Sequence, residues 1–149
     1  MLPIALSCGD PAGIGPEITA SAWGALKDDL VFLLLGDPAY AARFGPVVEI
    51  VDPGQAMAAM TQGLPVLPVS FPQTITPGKP ALGNAHAIIG AVAEGVQLVQ
   101  SGQAGALCTN PINKKLLKQG ADFPFPGHTE FLSHLAGGTD VVMMLACPE

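Results

Sequence analysis

Short segments that are apolar throughout alternate along the chain with longer segments in which apolar residues recur every three or four positions. The first kind predicts strands buried on both sides, and the second predicts helices with one apolar face. The predicted strands span residues 2–8, 30–35, 47–51, 66–69, 104–108 and 141–146. Because prolines surround residues 66–69, we expect that strand at a sheet edge or in a connection.

The predicted helices begin after proline or glycine, as helix N-termini commonly do. They span residues 16–27, 38–44, 80–100, 111–119 and 128–136, with a helical turn at 55–60. In the longest one, apolar residues recur at alternating steps of three and four and form one stripe, namely Leu82, Ala85, Ile89, Val92, Val96 and Val99. This alternation predicts an α/β fold, a layered α/β/α arrangement with helices on both faces of a largely parallel sheet.

The last predicted strand, residues 141–146, is followed by three residues. A parallel strand usually continues into a loop and a helix, so we expect the chain to be a truncated part of a larger unit. An uncovered strand at that place would be prone to aggregation.

Composition excludes several classes of protein. Hydrophobic residues make up 49% of the chain and charged residues 12%, which is unlike a disordered segment. The net charge is −6, and the six Lys and Arg residues form no basic stripe, so we expect no nucleic-acid partner. No apolar run reaches the roughly 18 residues that a membrane helix needs, and the given N-terminus shows no basic region followed by a long apolar stretch. These features predict a soluble, cytoplasmic protein.

The three cysteines, Cys8, Cys108 and Cys147, are far apart in the sequence and lie in or beside apolar runs. A structural zinc site would require closely spaced cysteine pairs. We therefore expect three reduced and mostly buried thiols.

Three segments carry groups suited to ligand binding, and the first is the glycine-rich sequence from Gly9 to Glu17. It lies between a predicted strand and a helix N-terminus, where free backbone N–H groups bind anions. Its spacing differs from that of the dinucleotide fingerprint. A tight structural turn and a ligand-binding loop are about equally consistent with this segment.

The second segment, residues 109–115, follows the strand at 104–108 and contains Lys114 and Lys115. It is expected at the carboxyl end of a strand, where ligands bind in open α/β sheets. A lysine there can neutralise a phosphate or assist proton transfer, although a solvated helical turn explains either lysine as well.

The third segment, residues 126–131, places His128 and Thr129 after Gly127 at a predicted helix N-terminus. An imidazole and a hydroxyl beside free N–H groups suit a phosphate or a carboxylate. The other histidines are weaker candidates. His86 is expected to be solvent-exposed, and His134 is expected to pair along the helix with Glu130.

Together the sequences GDPAGIGPE, TNPINKK and FPGHTEFL, the last followed by VVMMLA, resemble the 4-hydroxythreonine-4-phosphate dehydrogenase family. The resemblance spans nearly the whole chain but only about the first half of that family's usual length. It implies a fold similar to isocitrate and isopropylmalate dehydrogenases, with residues 1–149 as the N-terminal part of a two-domain, homodimeric enzyme.

The same resemblance implies oxidation of 4-phosphooxy-L-threonine with NAD or NADP, followed by decarboxylation to 3-amino-2-oxopropyl phosphate in pyridoxine 5′-phosphate synthesis. It places His128 and Thr129 at the substrate and Lys114 near it in a catalytic role. The divalent metal of the family (Zn, Co or Mg) is held by three histidines expected beyond Glu149. No residue of this chain is therefore assigned to the metal, and the chain alone is expected to be inactive.

Three other functions fit the same motifs. One is a sister dehydrogenase of 4-phospho-threonate or 4-phospho-erythronate, which would oxidise a hydroxy acid. The second is a phosphate-binding module without redox activity, and the third is an acyl-phosphate transferase that would require coenzyme A.

Overall fold

The computed structural model describes residues 1–146. Five parallel strands form one sheet, in the spatial order β3-β4-β2-β1-β5. The strands are β1 Ile4–Ser7, β2 Phe32–Gly36, β3 Val47–Glu49, β4 Leu64–Pro68 and β5 Ala106–Thr109. The helices are α1 Gly15–Leu26, α2 Pro38–Ala41, α3 Ala56–Ala59, α4 Ala85–Gln100, α5 Lys114–Ala121 and α6 His128–Leu135. The predicted α/β fold with a parallel sheet is confirmed.

The strand order determines which side of the sheet each long helix covers. The connection through α1 moves from β1 to β2, and the connection through α4 moves in the opposite direction, from β4 to β5. Because such connections are right-handed, α1 and α4 lie on opposite faces. The central strand β2 is buried along its whole length, as its uninterrupted apolar sequence predicts.

Helix α4 packs closely on the sheet, through a face that coincides only in part with the predicted stripe. Ala85 and Val92 of the predicted stripe are buried, whereas Val96 is only half-buried. The buried face also includes Ile88, Ala91, Gly95 and Leu98. A β-carbon on Gly95 would lie 2.6 Å from Leu107 Cδ1, so the missing side chain allows the close approach. The predicted stripe was therefore right in part, and it passed over Gly95, where the missing side chain is what allows the contact.

The boundaries of α4 and α5 also differ from the prediction. The segment predicted as one helix from residue 80 begins as a 3-10 turn, Leu82–Asn84, before α4. Helix α5 begins at Lys114 rather than Pro111, because extended Asn113 accepts a hydrogen bond from the Leu116 N–H at 3.1 Å. This is an N-cap, which sets the first helical residue.

Strand β4 lies inside the sheet, so its predicted edge position was wrong. Leu64 donates its N–H to the Pro46 carbonyl on the side of β3, so the backbone nitrogen of the next residue, Pro65, is on the side of β2. The pairing between β2 and β4 begins one residue later, at Val66. Pro68 follows the last residue of β4 paired with β3, which is Val66. Neither proline therefore removes a hydrogen bond from the sheet.

Two further expectations were wrong. Residues 141–146 form no strand, and the side chains of Val142, Met144 and Leu145 are 84–92% exposed. A strand needs a hydrogen-bonded neighbour, and no described residue pairs with this segment. Cys108 is exposed on β5, although Cys8 is buried and both are free thiols. Cys147 lies outside the described residues.

Candidate functional site

The first two candidate segments meet at the carboxyl edge of the sheet. Strands β1 and β5 are parallel neighbours in which Ser7 is opposite Thr109. The glycine-rich segment follows Ser7, and the lysine-containing segment follows Thr109. Both therefore leave the sheet at one edge, where ligands bind in folds of this class.

Hydrogen bonds join the two segments directly. The Asp10 N–H donates to the Pro111 carbonyl at 2.9 Å. The Asn110 amide donates to the Thr19 hydroxyl at 2.8 Å, and that hydroxyl donates to the Gly15 carbonyl at 2.8 Å. Asp10, Asn110 and Thr19 are all buried. This network fixes the start of α1 against the end of β5.

Close backbone packing explains two glycines of the first segment. Gly9 has a φ of +65°, and a β-carbon there would lie 2.4 Å from the Pro111 carbonyl oxygen. A β-carbon on Gly15 would lie 2.4 Å from the Cys8 carbonyl oxygen. Both contacts are with backbone of this chain, so they favour the structural-turn interpretation of these glycines.

The two lysines of the second segment occupy different surroundings. Lys114 Nζ lies 3.7 Å from the position that a β-carbon would take on Gly127. Lys115 instead lines a shallow cavity beside Pro80 and Leu82. The structure thus brings Lys114, and not Lys115, to the third candidate segment.

His128 is the first residue of α6 and is half-buried. Its Nε2 atom is inaccessible to solvent and has no hydrogen-bond partner among the described residues. Burial lowers the pKa of the imidazole below its ordinary value, and the nearby Lys114 ammonium lowers it further. The imidazole is therefore neutral at neutral pH, with one buried ring nitrogen whose hydrogen-bonding capacity is unused among the described residues.

Thr129 follows at the second position of α6 and is partly exposed. The residue before the helix, Gly127, has extended backbone and provides no side-chain cap. The first N–H groups of α6 therefore lack the side-chain acceptor that most helices have at this position. Glu130 also approaches Gly127, with Oε2 3.6 Å from the β-carbon position.

An aromatic cluster holds α6 in place. The rings of Phe123, Phe125 and Phe131 pack with centroid distances of 5.1–5.3 Å. The His134 ring packs against the Phe125 ring at a centroid distance of 5.1 Å. The structure thus describes a packing contact for His134 in place of the predicted pairing with Glu130. His86 is exposed, as predicted. These contacts orient the N-terminus of α6 beside Lys114.

Sequence reasoning missed the buried amides that fix the loops around the site. Asn110 was only part of a motif, and Asn84 was assigned no role, yet both are nearly inaccessible to solvent. A polar residue next to a strand end or helix start is the available signal, but it does not reveal burial. Ser7 was also missed, and its buried hydroxyl has no partner within residues 1–146.

No group of three or more His, Cys, Asp or Glu residues in the described part of the chain is arranged to hold a metal ion. No described helix is long and apolar enough to cross a membrane.

Comparison with known proteins identifies close relatives. Residues 32–149 match the model of a family described as pyridoxal phosphate biosynthetic protein PdxA. A 4-hydroxythreonine-4-phosphate dehydrogenase of Ruegeria sp. (strain TM1040) is 48% identical over 143 residues. The match covers 96% of this chain and 44% of that relative.

Solved structures give the same result. The crystal structure of a 4-hydroxythreonine-4-phosphate dehydrogenase from Burkholderia phymatum matches with a TM-score of 0.84 and 30% identity, covering 99% of this chain and 48% of that one. A 4-hydroxythreonine-4-phosphate dehydrogenase from Klebsiella pneumoniae matches with a TM-score of 0.78 and 31% identity, covering 94% and 46%. The chain thus spans less than half the length of these relatives.

Proposed function

Because the chain belongs to the PdxA family of pyridoxal phosphate biosynthetic proteins, we propose that it is the N-terminal part of a 4-hydroxythreonine-4-phosphate dehydrogenase. The reaction is oxidation of 4-phosphooxy-L-threonine by NAD or NADP, with decarboxylation to 3-amino-2-oxopropyl phosphate for pyridoxine 5′-phosphate synthesis. The convergence of Lys114 and His128 at the uncapped start of α6 is the structural observation that supports this proposal.

The proposed role of this convergence is to bind the phosphate or carboxylate of the substrate. Lys114 supplies a positive charge, and His128 Nε2 supplies a buried polar atom that needs a partner. The Thr129 hydroxyl and the first N–H groups of α6 supply further donors to an anion. An anion at this position satisfies the imidazole nitrogen and stands beside the ammonium.

A neutral His128 suits this role for an electrostatic reason. Two adjacent positive charges would repel each other, and burial opposes a second charge as well. Neutral His128 avoids this cost, and it can take up a proton when a phosphate brings negative charge. Lys114, exposed at the start of α5, is proposed to act next to the reacting part of the substrate.

A divalent metal, when bound, lowers the pKa of the alcohol that is oxidised. The described residues of this chain contain no fitting set of ligands for such an ion, so no step is assigned to it here. The chain's own residues are proposed to bind and orient the phosphorylated substrate. The complete protein is proposed to be a cytoplasmic homodimer.

The test uses the protein isolated from its source cells, whose intact mass is first compared with 15.2 kDa. Reduction of NAD or NADP is then measured with 4-phosphooxy-L-threonine and, separately, with 4-phospho-threonate, each with Zn, Co or Mg supplied. Preference for the amino acid supports the proposal. Preference for the hydroxy acid assigns the protein to the sister dehydrogenases, and no reduction with either substrate refutes the proposed reaction.

A further inference from the structure

The two edge strands of the sheet differ in how well they are protected against pairing with another chain. Strand β3 forms one edge with only three residues, and it ends at the exposed side chain of Glu49. A short edge strand and a charged side chain both oppose such pairing. Strand β5 forms the other edge, and β1 is its only hydrogen-bonded neighbour in the part of the chain that the structure describes. Because β5 contains no charged residue and no proline, it lacks these protective features.

The backbone of β5 presents free hydrogen-bonding groups at this edge. Directly after the strand, the Asn110 N–H donates to the Ser7 carbonyl of β1 at 3.3 Å. Backbone groups alternate in direction along a strand, so Cys108 also directs its N–H and C=O groups to β1. Leu107 and Thr109 then direct theirs to the open edge. These four groups have no hydrogen-bond partner within residues 1–146.

An apolar crevice of about 270 Å³ lies beside the β5 edge, on the face of the sheet that carries α4. Val96 and Val99 of α4 form one wall, and Leu132 of α6 forms another. Leu107 of β5 and Val141, which follows α6, complete the lining. Burying such a surface away from water is favourable, and exposed apolar surfaces of this kind often mark interaction sites.

The other face of β5 is open and apolar as well. Because Leu107 faces α4, Ala106 and Cys108 lie on the opposite face, where both are exposed. Helix α1 lies on that face, and Ile14 and Ile18 at its start are 58% and 43% exposed. The edge of β5 is therefore flanked by apolar surface on both sides of the sheet.

Charge and chain length favour a second copy of this chain as the occupant of the edge. No charged residue occurs between Glu94 and Lys114, so two identical β5 edges can meet without repulsion between like charges. The residues beyond the described part, 147–149, can extend about 10 Å at most, which is too short to return and supply a strand as long as β5. A second copy supplies a strand of equal length, without charge, and with the same outward groups.

We infer that the β5 edge joins two copies of this chain, whose sheets continue into each other through antiparallel β5 strands. A twofold axis at Cys108 places Leu107 of each copy opposite Thr109 of the other, so that all four outward groups of each strand are paired. Cys108 then lies opposite Cys108 of the second copy in a non-hydrogen-bonded pair, with Cα atoms about 4.5 Å apart. This inference does not rest on the proposed dehydrogenase reaction.

The first test is sedimentation equilibrium of the reduced 149-residue chain, whose mass is 15.2 kDa, over a wide range of concentrations. We expect a reversible dimer. Cys108→Lys should raise the dissociation constant roughly fivefold or more, because it places two ammonium groups opposite each other at the axis. Ala58→Lys is the matched control, since Ala58 is also exposed but lies on α3, beside the other edge of the sheet. It should leave the dissociation constant unchanged.

The second test is disulfide formation in a Cys147→Ser chain treated with diamide, which takes one hydrogen from each of two thiols. We expect a dimer linked through Cys108, because the separation at the axis lies within the range that a disulfide spans. Moving the exposed thiol, with Cys108→Ser and Ala58→Cys together in that chain, should abolish the cross-linking.

Four results would overturn the inference. They are a monomer at every concentration, open-ended aggregates in place of a dimer, equal effects of Cys108→Lys and Ala58→Lys, and equal cross-linking through the cysteines at positions 108 and 58. Neither test uses a substrate or a cofactor, so none of these results bears on the proposed reaction.

Discussion

The Asn110 side-chain amide donates a hydrogen bond to the Thr19 hydroxyl at 2.8 Å, across 91 positions of sequence. The bond joins the end of β5 to α1 inside the protein, where both residues are buried. Because the hydroxyl itself donates to the Gly15 carbonyl, two other polar groups, the Asn110 amide and the Gly15 carbonyl, depend on the Thr19 side chain. Removing it leaves buried groups without partners, which costs more than the bond itself contributes.

Thr19→Val should therefore lower the free energy of unfolding by about 1–3 kcal/mol, since it keeps the shape and deletes the hydroxyl. Urea denaturation measures this change. Thr61→Val is the matched control, because the Thr61 hydroxyl also donates to a backbone carbonyl, that of Ala58, but is exposed. The control should change stability by less than about 0.5 kcal/mol. Equal changes in the free energy of unfolding for the two variants would show that the buried network contributes nothing to stability.

Gly15→Ala should be destabilising because the new β-carbon would meet the Cys8 carbonyl oxygen at 2.4 Å, and backbone cannot move aside easily. We expect a loss of about 1–3 kcal/mol, as for overpacked cores. Gly24→Ala is the comparison in the same helix, where nothing lies within 4 Å of the added atom. It should raise the free energy of unfolding by about 0.5–1 kcal/mol. Denaturation midpoints of the two variants should therefore shift in opposite directions.

The parallel α/β fold was predictable because continuous apolar strands and periodic helices are local properties of the sequence. The interior position of β4 was not, since it depends on how Pro65 and Pro68 fall relative to neighbouring strands. Part of the buried face of α4 was missed for a related reason. Gly95 has no side chain and therefore does not contribute to an apolar pattern, and only its close packing against Leu107 explains its burial.

The candidate site was predictable in part. The motifs placed Lys114 and His128 near helix starts, and the structure brings them together at Gly127. The resemblance to the family was confirmed by the comparisons. The substrate roles of Lys114, His128 and Thr129 stay predictions.

Lys114 should affect the protonation of His128. Burial is the larger cause of the lowered imidazole pKa, and the Lys114 ammonium is the second. We expect an NMR titration midpoint for His128 below about 6.5, the ordinary value, and a partial rise toward it in Lys114→Met. Lys118→Met, which removes a charge from the same helix, should leave the midpoint unchanged. A midpoint unaffected by Lys114→Met would contradict the proximity of the two side chains.

The same titration affects folding stability in a defined direction. Because the folded-state pKa of His128 is lowered, the unfolded chain binds more protons than the folded chain between the two pKa values. The contribution of His128 is fully present above about pH 6.5 and is lost as the pH falls through the folded-state pKa. Urea denaturation at several pH values should show this loss, and His128→Gln should lack it.

The two described cysteines should react at very different rates. Burial raises the pKa of the Cys8 thiol to about 12, whereas Cys108 is exposed. In a Cys147→Ser background, a thiol reagent such as dithionitrobenzoate should modify one thiol rapidly in the folded chain and a second only after denaturation. Cys108→Ser should abolish the rapid phase. Rapid modification of Cys8 in the folded protein would contradict its burial.

The 149-residue chain by itself should reduce neither NAD nor NADP. Its described residues provide an ammonium, an imidazole and a hydroxyl for an anion, but no group of metal ligands, and it spans 44% of a dehydrogenase relative. Hydride transfer requires the alcohol to be held against the nicotinamide and its proton to be removed, and the described residues contain no group of metal ligands to lower the pKa of that alcohol. Absorbance at the wavelength of reduced nicotinamide, with 4-phosphooxy-L-threonine and Zn, Co or Mg present, measures the reaction. The full-length Burkholderia phymatum protein is the positive control, and turnover by the short chain under the same conditions would mean that a complete active site forms within it.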